Sequence, residues 1–204
     1  PGHSIHDVWI EDGIAYSSNW ADGIVAVDIG AKKHKESDRS KSQFNPLLAK
    51  AGQGSPSNPV KLAEMKDPTG RNHAAFPYLN EETGQFYIIG GDENFPWGVQ
   101  ATKNKPSNPR GGYHFMNFTD PNNPREDAIY EVPEAGSHNL WIYGDILLAG
   151  NYQGGLRIVD ISGELLGDIY KQGREIAHYL SYHKDGRIPN APMVWGAQPY
   201  KDYI

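Results

Sequence analysis

Three histidines carry the sharpest chemical signal in this 204-residue chain. His6 opens the stretch His6-Asp7-Val8-Trp9-Ile10, and His138 opens His138-Asn139-Leu140-Trp141-Ile142. Each imidazole thus stands three residues ahead of a Trp. His73 stands three residues ahead of Phe76 in the same way. In a fold of repeats around an axis, equivalent residues converge. Neutral imidazoles that converge are ligands for zinc, iron or copper. The competing role is architectural: each ring bonds the backbone of a neighbouring repeat and pins the junction. The junction role is the expectation, with a divalent metal in the channel as the alternative and no other cofactor. The chain contains no Gly-x-Ser-x-Gly, no Gly-rich phosphate loop, no His-Glu-x-x-His and no calcium-loop spacing. The expectation is therefore a protein that is not an enzyme.

A second set of polar positions recurs. Asp28, Asn117 and Asp160 each close a short apolar stretch that begins with Gly23, Gly112 or Gly155. A side chain that recurs in every repeat points to architecture, since catalysis needs a carboxylate once. These residues are expected to accept backbone N–H bonds in the turns that follow. Trp9, Phe76, Trp141 and Trp195 are expected to pack between repeats. The segment Ala31–Gly54 differs in kind. Lys32, Lys33, Lys35, Arg39, Lys41 and Lys50 outnumber Glu36 and Asp38 there, although the whole chain carries −6. A basic loop on an acidic body is a candidate docking element for an acidic protein, lipid headgroup or polysaccharide.

These residues need a scaffold, and the spacing describes one. Asn19 and Asn151 lie 13 residues past His6 and His138, while Gly23 and Gly155 lie 17 past them. The turn Ser55-Pro56-Ser57-Asn58-Pro59 matches Asp120-Pro121-Asn122-Asn123-Pro124, and each Pro stands 14 residues ahead of the next His. With insertions removed, the unit is 43 residues long. Starts fall near residues 6, 73, 138 and 192, with Pro192 at the His position of the last. Insertions fall at 31–54, 94–110 and 183–190. The first unit reads as strands at His6–Ile10, Ile14–Asn19, Ile24–Ile29 and Val60–Met65, rich in Val, Ile, Tyr and Trp. Pro46–Ala51 alone suggests a helical turn.

Four strands in about 40–50 residues is the period of a β-propeller blade. The expected fold is all-β, with about 3.4 blades of one propeller across residues 1–204. A closed ring typically holds 4–8 blades, so the chain is expected to belong to a larger propeller of roughly 6–8. The 23 Gly and 15 Pro suit such a turn-rich fold. The absence of Cys removes disulfides and thiolate metal sites. An excess of acid argues against nucleic acid as a partner. No apolar run approaches the roughly 20 residues of a membrane helix.

The segments Gly23–Ile29 and Gly155-Leu156-Arg157-Ile158-Val159-Asp160-Ile161 resemble the LVIVD repeat of bacterial and archaeal β-propellers. The resemblance covers essentially the whole chain outside the insertions. It implies an exported or cell-surface protein, and the insertion loops make a protein partner or a larger assembly the expectation. On this reading the chain is a non-catalytic interaction module that presents its insertion loops. The alternative is an enzyme or ligand-binding protein with His6, His73 and His138 in its channel.

Overall fold

The computed structural model describes residues 4–35, 44–94, 111–133, 135–185 and 192–204. The protein is all-β, with three antiparallel sheets and no α-helix among the described residues. The first sheet runs β1 (Asp7–Glu11), β2 (Ile14–Ser18), β3 (Ile24–Asp28) and β4 (Val60–Met65), paired in chain order. These are the four stretches expected from the sequence, displaced by at most one residue. The second sheet runs β5 (Asn72–Asn80), β6 (Gln85–Asp92), β7 (Tyr113–Asn117) and β8 (Arg125–Tyr130). The third runs β9 (Leu140–Tyr143), β10 (Ile146–Gly150), β11 (Leu156–Asp160) and β13 (Glu175–Tyr179). A two-residue strand, β12 (Gly167–Asp168), is added in parallel beside β8.

The turns explain the register. Asp12 and Gly13 join β1 to β2 with φ of 51° and 75°, the two left-handed residues of a type I′ hairpin. The β2–β3 and β10–β11 connections share one geometry. Asn19 N–H bonds the Gly23 carbonyl, and Asn151 N–H bonds the Gly155 carbonyl, both at 2.9 Å. Gly23 and Gly155 both have φ of 77°. A Cβ on either would lie 2.2 Å from the Met65 carbonyl oxygen or 2.3 Å from that of Tyr179. Only glycine fits there. In the second sheet the Gly112 carbonyl accepts from Asp92 N–H in the same way.

The chain divides into two compact units, Pro1–Gly90 with Phe115–Asp127 and Gly91–His114 with Ala128–Ile204. The first unit buries Ile14, Tyr16, Ile24, Phe86, Ile88 and Met116 in one core. Its β5 packs on β1 and β2. Part of the Ala31–Gly54 insertion joins that core: the 3₁₀ turn Pro46–Ala49 buries Leu47 and Leu48. The second unit buries Tyr113, Tyr130, Leu147, Val159 and Ile169. No helix among the described residues is long and apolar enough to cross a membrane.

Two features differ from the spacing argument. The excess placed at 183–190 is divided. Fifteen residues separate Asp160 from Glu175, where eight separate Asn117 from Arg125, because the 161–174 stretch detours to form β12. The lengthened second repeat is divided as well: β5 and β6 are nine and eight residues long, against five each for β1 and β2.

Candidate binding groove and repeat-start histidines

Asp28 shows how the basic insertion is attached. The carboxylate is fully buried at the end of β3. Its Oδ1 accepts from the N–H of Gly30 and Ala31, and its Oδ2 accepts from Gly52, Gln53 and Gly54, all at 2.8–3.0 Å. One side chain thus ties together both ends of the insertion. Burial pushes its pKa up, but the backbone donors outweigh that and hold it far below the usual carboxylate range. Asp160 and Asn117 use their Oδ1 for the same turn, accepting from Ser162 N–H and Thr119 N–H at 2.9 Å. Asn117 is buried, and its amide donates to Gln85 and Asp127.

Within the insertion, Asn45 caps the 3₁₀ turn by accepting from Leu47 N–H. Its amide donates to the Tyr16 hydroxyl at 2.7 Å. Burial pushes the Tyr16 phenol well above its ordinary pKa, and the nearby Glu11 and Asp12 add to this. So anchored, the insertion walls an open groove of about 1100 Å³ in the first unit. The end of β1 supplies Glu11 to it, and the β1–β2 turn supplies Asp12 and Gly13. Pro77, Tyr78, Leu79 and Glu81 come from the end of β5 and its turn, and Phe86 from β6. Gly30, Lys32, His34, Phe44, Asn45 and Leu48 come from the insertion side. Lys32, Lys33 and Lys35 are exposed. Arg39 and Lys41 lie outside the described residues, as does most of 94–110.

The repeat-start histidines form ring contacts. In the first unit, His6 is exposed and His73 buried, with ring centroids 4.2 Å apart. Their ligand nitrogens lie within 4.8 Å of each other. Trp20, left-handed at φ 53°, presents an edge contact to His6 at 4.4 Å. In the second unit His138 repeats the pattern. Tyr152, left-handed at φ 44°, meets it edge-on at 5.3 Å, and Trp195 stacks on it at 5.4 Å. His138 Nδ1 lies 3.0 Å from the Trp195 carbonyl. A carbonyl only accepts, so Nδ1 carries the proton. Its Nε2 is 3.7 Å from Glu93, which accepts from the Tyr152 hydroxyl at 3.0 Å.

Backbone pairing also reassigns the last repeat. The bridges Trp20–Asn72 and Tyr152–Val194 are equivalent, Asn94–Ser137 is displaced by one residue on its first partner, and each second partner directly precedes His73, His138 or Trp195. A Cβ on Gly91 would lie 3.0 Å from the His138 carbonyl oxygen, and one on Gly150 would lie 2.5 Å from that of Trp195. Trp195, not Pro192, therefore occupies the His position. Trp195 is exposed, whereas Trp9 stacks on Phe76 at 4.6 Å. Trp141 is half-buried on β9.

Sequence reasoning missed the aromatics Trp20 and Tyr152, although each directly follows a repeat Asn. It also missed a buried network in the second unit. Arg157 bonds both Glu175 oxygens at 3.1–3.2 Å and the Gly154 carbonyl at 2.8 Å. Tyr130 donates to Glu175 at 2.6 Å. Burial opposes ionisation of Glu175, but Tyr130 and Arg157 outweigh it and lower its pKa.

None of the protein-family models, curated proteins or solved structures compared with the chain matches it.

Proposed function

We propose that this chain is a non-catalytic interaction module whose partner docks on the Ala31–Gly54 insertion. One observation carries the reading. The insertion is clamped at both ends by Asp28 and rooted in the core by Leu47 and Leu48, yet leaves Lys32, Lys33 and Lys35 in solvent beside an open groove. The described stretches 31–35 and 44–54, anchored in this way, give a partner a pre-organised surface, which lowers the ordering cost of binding. The scaffold we propose is a β-propeller in which each four-stranded sheet is a blade. Its support is the chain-order pairing of all three sheets and the recurrence of one turn in the first and third. Export to the cell surface rests on the LVIVD resemblance.

The test is photo-crosslinking in the source cell. A crosslinking residue at position 33 is expected to yield one discrete protein adduct, and the same residue at exposed Thr83 none. Equal labelling from both positions, or none from 33, overturns the reading.

The adjacency of His6 and His73 in the first unit favours a second reading, a divalent metal with these two imidazoles among its ligands. It predicts one equivalent of Zn, Fe or Cu in native protein that is lost on His6→Ala or His73→Ala. The junction role predicts no stoichiometric metal and a loss of stability instead.

A further inference from the structure

We infer that the open face of the third sheet is a self-association surface, against which the same face of a second copy packs about a twofold axis. The inference rests on the repetition of the sheets and is independent of the insertion. Residues paired across strands share a face of the sheet. In the first sheet one face carries the row Trp9–Tyr16–Ala26–Ala63, with Ile14 and Ile24 on either side of it. The second sheet covers that face. Ile14, Tyr16, Ile24 and Ala26 are fully buried in one core with Phe86 and Met116. The third sheet repeats the face position by position. Its row is Trp141–Leu148–Ile158–Ala177, flanked by the pairs Tyr143–Ile146 and Leu156–Tyr179. Here the face is open. Ile146, Leu156 and Ile158 are half-buried where Ile14, Ile24 and Ala26 are fully buried. Ala177 is exposed where Ala63 is buried, and Tyr143 and Tyr179 are each 66% exposed.

Three observations select a second copy, seated face to face. Val194 bridges Tyr152, and the Trp195 carbonyl accepts from Asn139 N–H at 2.8 Å. Residues 194 and 195 thus hold the place where β5 begins beside the first sheet. A sheet from another molecule, docked as the second docks on the first, would collide with them. A partner lying on the outer strands β11 and β13 would not. The rows and flanking pairs contain no charged side chain, and Asp160, paired with Ile146, is already satisfied by the N–H and hydroxyl of Ser162. Nothing on the face specifies a charged partner, and an apolar face of this kind is its own complement, as a twofold interface requires. The two tyrosines and the half-buried side chains expose roughly 400 Å² per copy. Two such faces fall below about 1,200 Å² in total, the size of a weak, reversible contact.

The test follows the whole 204-residue chain by sedimentation velocity from about 10 μM to about 1 mM. Wild type is expected to pass from monomer to dimer and no further, since a twofold contact closes on itself. Tyr179→Asp should weaken the dimer at least about tenfold, because it sets two carboxylates in one apolar contact. Val8→Asp/Ile10→Asp should leave the dimer unchanged. Those two side chains are exposed on the opposite face of the first sheet, where a head-to-tail contact would have to form. Circular dichroism melting checks that each variant folds, and Ala177→Lys carries the same test should Tyr179→Asp unfold. The inference is overturned if wild type stays monomeric at about 1 mM, or if the third-sheet variants associate like wild type. Growth beyond the dimer, or equal weakening by Val8→Asp/Ile10→Asp, would also overturn it, since either means a head-to-tail contact. The insertion reading stands or falls separately, on the crosslink from position 33.

Discussion

Asp28 and the left-handed glycines are the residues on which single changes should tell most. Asp28→Ala would leave five backbone N–H groups without their acceptor. Unsatisfied donors cost about 1–3 kcal/mol each where water cannot reach them. The variant is expected to lose at least about 3 kcal/mol in urea unfolding, while Lys33→Ala stays within about 0.5 kcal/mol of wild type. The pH dependence follows from the lowered pKa of Asp28. A carboxylate depressed in the folded state stabilises above its unfolded value, about 4, and that contribution disappears as pH falls through the folded value. Unfolding free energy should therefore decline on acidification below about pH 4, with a shallower slope in Asp28→Asn. Gly23→Ala meets the Met65 carbonyl at 2.2 Å in a left-handed conformation, and should cost about 2 kcal/mol or more.

Among the elements, the insertion and the Arg157–Glu175 pair behave unlike their sequence classes. A loop residue is normally replaceable, but Leu47 is fully buried. Leu47→Ala should destabilise by about 2–5 kcal/mol, as in a core strand. Arg157 and Glu175 tie β11 to β13, and their side chains are only 8% and 16% exposed. Removing either partner strands the other charge, so Arg157→Ala or Glu175→Ala alone should cost about 3–5 kcal/mol. The double variant Arg157→Met/Glu175→Leu should cost much less than the two losses together, and a double-mutant cycle in urea measures the difference. An additive result would mean that the two side chains act independently.

For the whole molecule, the exposed apolar side chains are the informative feature. In the second unit Tyr143, Ile176, Tyr179 and Trp195 are each more than half exposed. Exposed apolar surface drives association where it is contiguous. On the propeller proposal, a further sheet of the same repeat packs over the third one. Purified alone, the 204-residue chain is then expected to associate with rising concentration in sedimentation velocity. Ile176→Ser/Tyr179→Ser should suppress this while changing unfolding free energy by less than about 0.5 kcal/mol. Strong destabilisation by the same pair would mean that these residues already pack within the unit.

The all-β class, the four-strand period and the turn positions were legible without coordinates, because each rests on local chemistry. A left-handed position calls for Gly, a strand end calls for an Asx side chain, and strand pairing in chain order follows short turns. The roles of Asp28, Asn117 and Asp160 in their turns were legible for the same reason. Tertiary packing alone decided the rest. That Leu47 and Leu48 root a basic, Pro-containing loop depends on a core assembled from strands distant in the chain, β2 to β7, which no local pattern encodes. Trp195 takes the His position because backbone pairing outranks side-chain similarity in setting register, so the match of Pro192-Met193-Val194-Trp195 to His-x-x-Trp was three residues out of step. The groove exists only where two hairpin turns and an insertion meet. Its opposite charges are far apart along the chain, and the spacing of residues carries no record of that meeting.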